Sequence, residues 1–193
     1  MSDQVDKKDI FESDRRADIK KTIDRIWTLF HKDGISNSLE ILEYITFLLF
    51  IYRLDELQIS EEKKADQLGI DLGKRIFPKG KDSRGKSWDD LRWSRFKLLP
   101  PDEMENIIGD RVFNFVQELG KEGGIYAFNL KDARFKEISP GLIPKLVKLL
   151  DQTLKQENDM KSTNHGELFE QILGRLDTFK YGFRQFRTPP HLI

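Results

Sequence analysis

The stretch Asn37–Glu56, NSLEILEYITFLLFIYRLDE, decides the fold. Ile41, Ile45, Leu48, Leu49 and Tyr52 recur at helical spacing, and Leu39 and Leu42 widen the apolar face until it nearly surrounds the helix. A helix greasy on most of its circumference must be covered on most sides, so this one is expected at the centre of a helical core. Asn37 with Glu40 three residues later forms a capping box at its start. Ile41 to Leu54 contains Glu43 and Arg53 and falls short of the ~20 apolar residues that a bilayer span requires. The turn Tyr52, Arg53, Asp55 and Glu56 at the expected C-terminal end reads as an ion-paired surface turn, with a partner contact as the alternative.

Upstream, Ile19, Ile23, Ile26, Trp27 and Phe30 mark one stripe of a helix over about Arg15–His31, stopped by Gly34. Residues 1–14 are charged, mixed in sign and without a secretory apolar run, and are expected to be a flexible N-terminus. Downstream, periodicity weakens from Lys64 to Leu99 while Gly69, Gly73, Pro78, Gly80 and Gly85 punctuate the chain, which predicts a long irregular insertion. Within it Lys74, Arg75, Lys79, Lys81, Arg84 and Lys86 face the single acid Asp82. Trp88 and Trp93 follow, as anchors of the loop to the core or as stacking surfaces for bases.

Pro100-Pro101 introduces a third helix, expected to be capped by Asp102 with Glu105 three residues on. Its stripe is Met104, Ile107, Ile108, Val112, Phe115, Val116 and Leu119, and Gly123-Gly124 ends the connection. The GKEGG run at 120–124 follows a helix and lacks phosphate-loop spacing. A fourth helix is expected after the cap Ser139, with Pro140 at its first position and Leu142, Ile143, Leu146, Leu149, Leu150 and Leu154 inward. A fifth, about Asn164–Phe179, carries Leu168, Phe169, Ile172, Leu173, Leu176 and Phe179. The expectation is therefore a mainly α protein with a single helical domain of about five main helices over residues 15–179.

Lys plus Arg and Asp plus Glu both total 33, so any attraction to nucleic acid must come from a local patch, and the Lys79, Lys81, Arg84 and Lys86 loop is the candidate. No Cys is present, and His31, His165 and His191 have no ligand spacing, which predicts a reducing, cytoplasmic setting and no structural metal. After Phe179 the pattern breaks into a connector that caps a new helix at Thr188, just before the chain stops. Residues 180–193 are therefore expected to open a second domain that lies beyond them.

The chain resembles the amino-terminal helical domain of the modification (M) subunit of type I restriction-modification systems, a DNA adenine methyltransferase. The resemblance is carried by Ile26-Trp27-Thr28-Leu29-Phe30, by Glu43-Tyr44, and by Leu49-Phe50-Ile51-Tyr52-Arg53-Leu54-Asp55-Glu56. Late in the chain it rests on Gly166, Phe169 and Glu170, then on Gln185-Phe186-Arg187-Thr188-Pro189. It implies that the chain is truncated before a Rossmann-like methyltransferase domain and that Gln185, Phe186, Thr188 and Pro189 lie beside S-adenosylmethionine. It also implies a full-length protein that methylates adenine N6 in double-stranded DNA, assembled with specificity and restriction subunits.

The glycine-rich loop and the Asn/Asp-Pro-Pro-aromatic tetrapeptide that such chemistry needs do not occur in these residues, nor does a nucleophilic triad. No catalytic residue is therefore assigned, and the 193 residues alone are expected to be inactive and not to bind the cofactor. The alternative reading is a non-enzymatic helical module whose basic loop takes an acidic protein partner. A free-standing enzyme using Glu167 and Glu170 is the third, set against the usual solvation of exposed acids on amphipathic helices.

Overall fold

The computed structural model describes residues 2–121 and 138–159, with side chains for 17–119 and 138–155. The elements among them are α1 (Ser2–Lys32), α2 (Ser38–Leu68), a 3-10 turn (Trp88–Leu91), α3 (Trp93–Phe96), α4 (Pro101–Asn106), a π-helical segment (Ile107–Val112), α5 (Phe113–Lys121) and α6 (Leu142–Asp159). An isolated antiparallel bridge pairs Lys81 with Ser87. The fold is mainly helical, as the periodicity implies. The expected fifth helix, Asn164–Phe179, and the junction 180–193 lie outside the described residues. The described residues form two compact units, one from residues 2–38 and 149–159 and the other from 39–121 and 138–148.

In the first unit α1 begins at Ser2 and not at Arg15. Residues 2–14 contain no Gly or Pro to break a helix. Ile19, Ile23, Ile26, Trp27 and Phe30 are all buried, as their stripe predicts. The helix ends in a Schellman motif at Gly34: Ile35 N–H donates to the Phe30 carbonyl at 2.9 Å and Gly34 N–H to that of His31 at 3.1 Å. A 3.1 Å hydrogen bond between the hydroxyls of Thr22 and Thr153 joins α1 to α6, beside buried Leu150 and Leu154.

In the second unit α2 buries Ile41, Tyr44, Ile45, Phe47, Leu48, Ile51 and Tyr52. It does not end at Glu56 but continues to Leu68, so the irregular insertion starts at Gly69 instead of Lys64. Gly69 takes φ +65, where a side chain is disfavoured, and the same 6→1 bond closes the end, Ile70 N–H to the Ala65 carbonyl at 3.1 Å. The helix extends because Leu57 to Leu68 contains no breaker and its inward positions become polar instead of vanishing.

Two helix starts also differ from expectation. α4 begins at Pro101, with Pro100 as its N-cap, so Asp102 lies in the first turn instead of capping it. Proline at the first position loses only a donor that would have no intrahelical acceptor, and Asp102 and Glu103 then complement the positive end of the helix. α6 begins at Leu142 and not at Pro140, because Gly141 at φ +88 turns the backbone out of the helical region. The Ser139 carbonyl receives Leu142 N–H at 3.2 Å, and Gly141 N–H donates to Glu105 Oε1 at 2.6 Å.

Candidate nucleic-acid interface

The inward stripe of α2 runs Ile51, Tyr52, Asp55, Gln58, Glu62 and Ala65, and its three polar members build the platform for the loop. Gln58 Oε1 accepts the N–H groups of Ile76 at 2.7 Å and Phe77 at 3.4 Å, which pins the loop backbone to the helix. Asp55 accepts Arg92 Nε at 2.7 Å on one oxygen and Ser94 N–H at 2.7 Å on the other. Glu62 receives Arg92 Nη1 at 3.1 Å and Nη2 at 2.9 Å, and it also pairs with Arg75. Burial pushes the Glu62 carboxyl up, but Arg92, Gln58 and Arg75 together hold it below its ordinary value. Burial likewise opposes the Arg92 charge, and Glu62 and Asp55 outweigh it and raise the guanidinium's pKa.

Aromatic packing completes the platform. Phe77 is fully buried and stacked on Phe115 at 5.2 Å, with the Arg92 guanidinium 5.9 Å from its ring centre. Trp93 is buried, 5.4 Å from Tyr52 and 5.4 Å from Phe96 in edge-on contacts, and Trp88 lies tilted 5.9 Å from Phe115. Both tryptophans thus anchor the insertion to the core.

The loop itself is organised by its one acid. Asp82 Oδ1 accepts the N–H groups of Arg84 and Lys86, each at 2.9 Å, and Oδ2 accepts Arg111 Nε at 3.2 Å and Nη2 at 3.0 Å. Its amide donates to the Lys86 carbonyl at 2.8 Å, closing the turn beneath the Lys81–Ser87 bridge. The Lys86 amide, with those of Arg84 and the Arg111 guanidinium, holds the Asp82 carboxyl below the usual range against the opposing effect of burial. Arg111 further reaches the Ser87 carbonyl at 2.8 Å and Asp90 at 3.4 Å, so it fastens the loop to the π-helical segment.

Lys79, Lys81, Arg84 and Lys86 are all exposed on this loop. Two of them carry counter-charges from the same unit: Lys79 lies 3.4 Å from Asp71, and Arg84 2.6 Å from Asp110. Arg75, which composition groups with them, turns inward to Glu62. A cleft of about 220 Å³ opens beside the loop between Arg84, Trp88, Asp110, Arg111, Asn114 and Phe115. Gln185, Phe186, Thr188 and Pro189 lie outside the described residues. The loop-holding residues Gln58, Glu62, Arg92 and Arg111 are absent from the sequence-based candidates. The signal for the first two was their spacing, which continues the buried stripe of α2. In the turn expected at the surface, Arg53 pairs with Glu56 at 3.4 Å and Tyr52 donates to Glu56 at 2.9 Å, but Asp55 faces the interior.

Residues 19–150 match the family model described as the HsdM N-terminal domain. The chain belongs to this family. HsdM N-terminal domains are part of the methyltransferase subunit of type I restriction-modification systems, as the sequence resemblance implies. The match takes in α2, the Asp82-centred loop and the π-helical segment, so the whole candidate interface lies inside the HsdM N-terminal domain. Comparison with curated proteins and with solved structures found no match. No helix among the described residues is long and apolar enough to cross a membrane.

Proposed function

We propose that this HsdM N-terminal domain clamps double-stranded DNA through the Lys79–Lys86 loop, within a cytoplasmic complex that also holds specificity and restriction subunits. The full-length subunit would transfer a methyl group from S-adenosylmethionine to adenine N6, with Gln185, Phe186, Thr188 and Pro189 beside the cofactor. The domain lies in residues 15–179, and 180–193 lead into the catalytic part. The observation that carries the interface is the inward turn of Asp82: the loop's only acid is consumed by Arg111 and two backbone amides, while its cations stay exposed. Such a loop presents a local positive face on a chain of zero net charge. Phosphate contacts of this kind supply affinity and register, not base selectivity, which leaves the reading of sequence to another subunit.

The test is DNA affinity of the assembled methyltransferase as a function of salt, with Lys79, Lys81, Arg84 and Lys86 replaced together by Gln. Removing one cation from a phosphate lowers the slope of log affinity against log salt by about 0.9, equally for all sequences. Unchanged affinity and slope would rule the loop out as a DNA contact. The second reading, a protein-interaction module, is favoured by the Arg84–Asp110 pair, in which the loop already accepts a carboxylate. In that case the variant weakens subunit assembly and leaves the salt slope for DNA untouched.

A further inference from the structure

Two Arg–Asp pairs cross between the loop and the π-helical segment, and they differ in exposure. Arg111 and Asp82 have side chains only 9% and 13% exposed, so that pair is enclosed. Arg84 and Asp110 are 62% and 57% exposed, although Nη1 and Oδ2 approach to 2.6 Å. We propose that Asp110 is an internal competitor for DNA, occupying Arg84 in the free domain and yielding it to a backbone phosphate on binding. The inference rests on the DNA-contact reading of the loop.

An enclosed pair cannot exchange partners without exposing a charge that has lost its complement, whereas an exposed pair is weak and held in water. Arg84 meets Asp110 through one contact of 2.6 Å and leaves the rest of its fork unused by that carboxylate, whereas a backbone phosphate can engage two of its nitrogens at once. Asp110 also leaves its own negative charge beside the incoming backbone. It therefore opposes binding twice, by holding Arg84 and by repelling phosphate. The Lys79–Asp71 pair is longer, at 3.4 Å, with Asp71 87% exposed, and restrains its cation less.

Binding of labelled mixed-sequence duplex DNA to the assembled methyltransferase tests this. Asp110→Asn tightens binding roughly 1.5- to 5-fold, the range that follows from the strength of exposed ion pairs. The gain shrinks when Arg84 is already Gln, because only the repulsion between Asp110 and phosphate is then left to relieve. A gain that persists undiminished beside Arg84→Gln, or no gain at all, overturns the competition. The quadruple Gln variant separates the two claims. If it loses affinity while Asp110→Asn has no effect, the loop still binds DNA and the competition fails. If it binds like the parent, the DNA-contact reading fails, and this inference with it. Asp110 is exposed and a melting curve of Asp110→Asn matching the parent excludes misfolding as the cause of any weakening.

Discussion

Arg92 Nε donates to Asp55 Oδ1 at 2.7 Å across a sequence separation of 37 residues, and the same guanidinium clamps Glu62 with its other two nitrogens. The side chains of Arg92 and Asp55 are 9% and 3% exposed. One residue thus ties the middle of α2 to the start of α3.

Arg92→Ala strands a carboxylate in the interior with only Ser94 N–H beside it. Breaking a buried pair from one side costs about 3–5 kcal/mol, and urea denaturation of the domain should show a loss of that size. Arg92→Lys should recover little of it, since one ammonium cannot serve Asp55 and Glu62 with a planar fork. A loss below about 1 kcal/mol would mean that the clamp is not formed in solution.

Acid should loosen the same region. Glu62 and Asp82 both titrate below their ordinary values of 4.5 and 3.8 in the folded chain. The unfolded chain then takes up protons first as pH falls. The stability these carboxylates contribute is complete above their ordinary values and is lost as pH drops through the lower folded ones. Melting temperature should therefore begin to fall below about pH 4.5. Glu62→Gln should start less stable at neutral pH and show a shallower acid decline.

Leu48 is fully buried on α2. Leu48→Ala should cost roughly 2–5 kcal/mol through reduced burial and the cavity left behind, read as a lowered denaturation midpoint. A variant that melts like its parent would contradict the central place of α2.

Asp82→Ala should act against simple charge counting. It removes the one acid of a basic loop, yet it frees the amides of Arg84 and Lys86 and leaves Arg111 without its main partner. Hydrogen exchange at those two amides should accelerate while the core amides of α2 keep their protection. Equal protection in variant and parent would show that the loop is ordered by something else.

The helical core was legible because its residues repeat. The stripe of α1 named its buried members from Ile19 to Phe30, while that of α2 named Ile41, Ile45, Leu48 and Tyr52, missed Tyr44, Phe47 and Ile51, and included Leu39, which is exposed. The polar platform was not, because Asp55, Gln58 and Glu62 occupy inward positions whose partners, Ile76, Phe77 and Arg92, come from a segment without periodicity. A carboxylate beside Arg53 and Glu56 looks like a surface charge until a distant guanidinium is placed against it. Composition found the basic loop, but it grouped inward-turned Arg75 with the loop's other cations and could not tell that Asp82 builds the turn and Asp110 confronts it.

The π-helical segment has a consequence for the spacing of that whole tract. An α-helix turns by roughly 100° per residue, so a column of side chains placed every fourth position drifts around the cylinder by about 40° each step. Met104, Ile108, Val112 and Val116 keep that strict spacing and are all buried. The wider winding at Ile107–Val112 turns more slowly and cancels the drift, keeping the column in register from α4 into α5. The tract carries, in effect, one surplus residue. Deleting one residue there would restore ordinary winding with α5 close to its present orientation, whereas inserting one more ahead of Arg111 would rotate α5 by about 100° relative to α4. Phe115 would leave Phe77, and Arg111 would swing off Asp82. The loop therefore depends on the number of residues in this segment as much as on their chemistry, so the segment should accept substitutions more readily than an added residue.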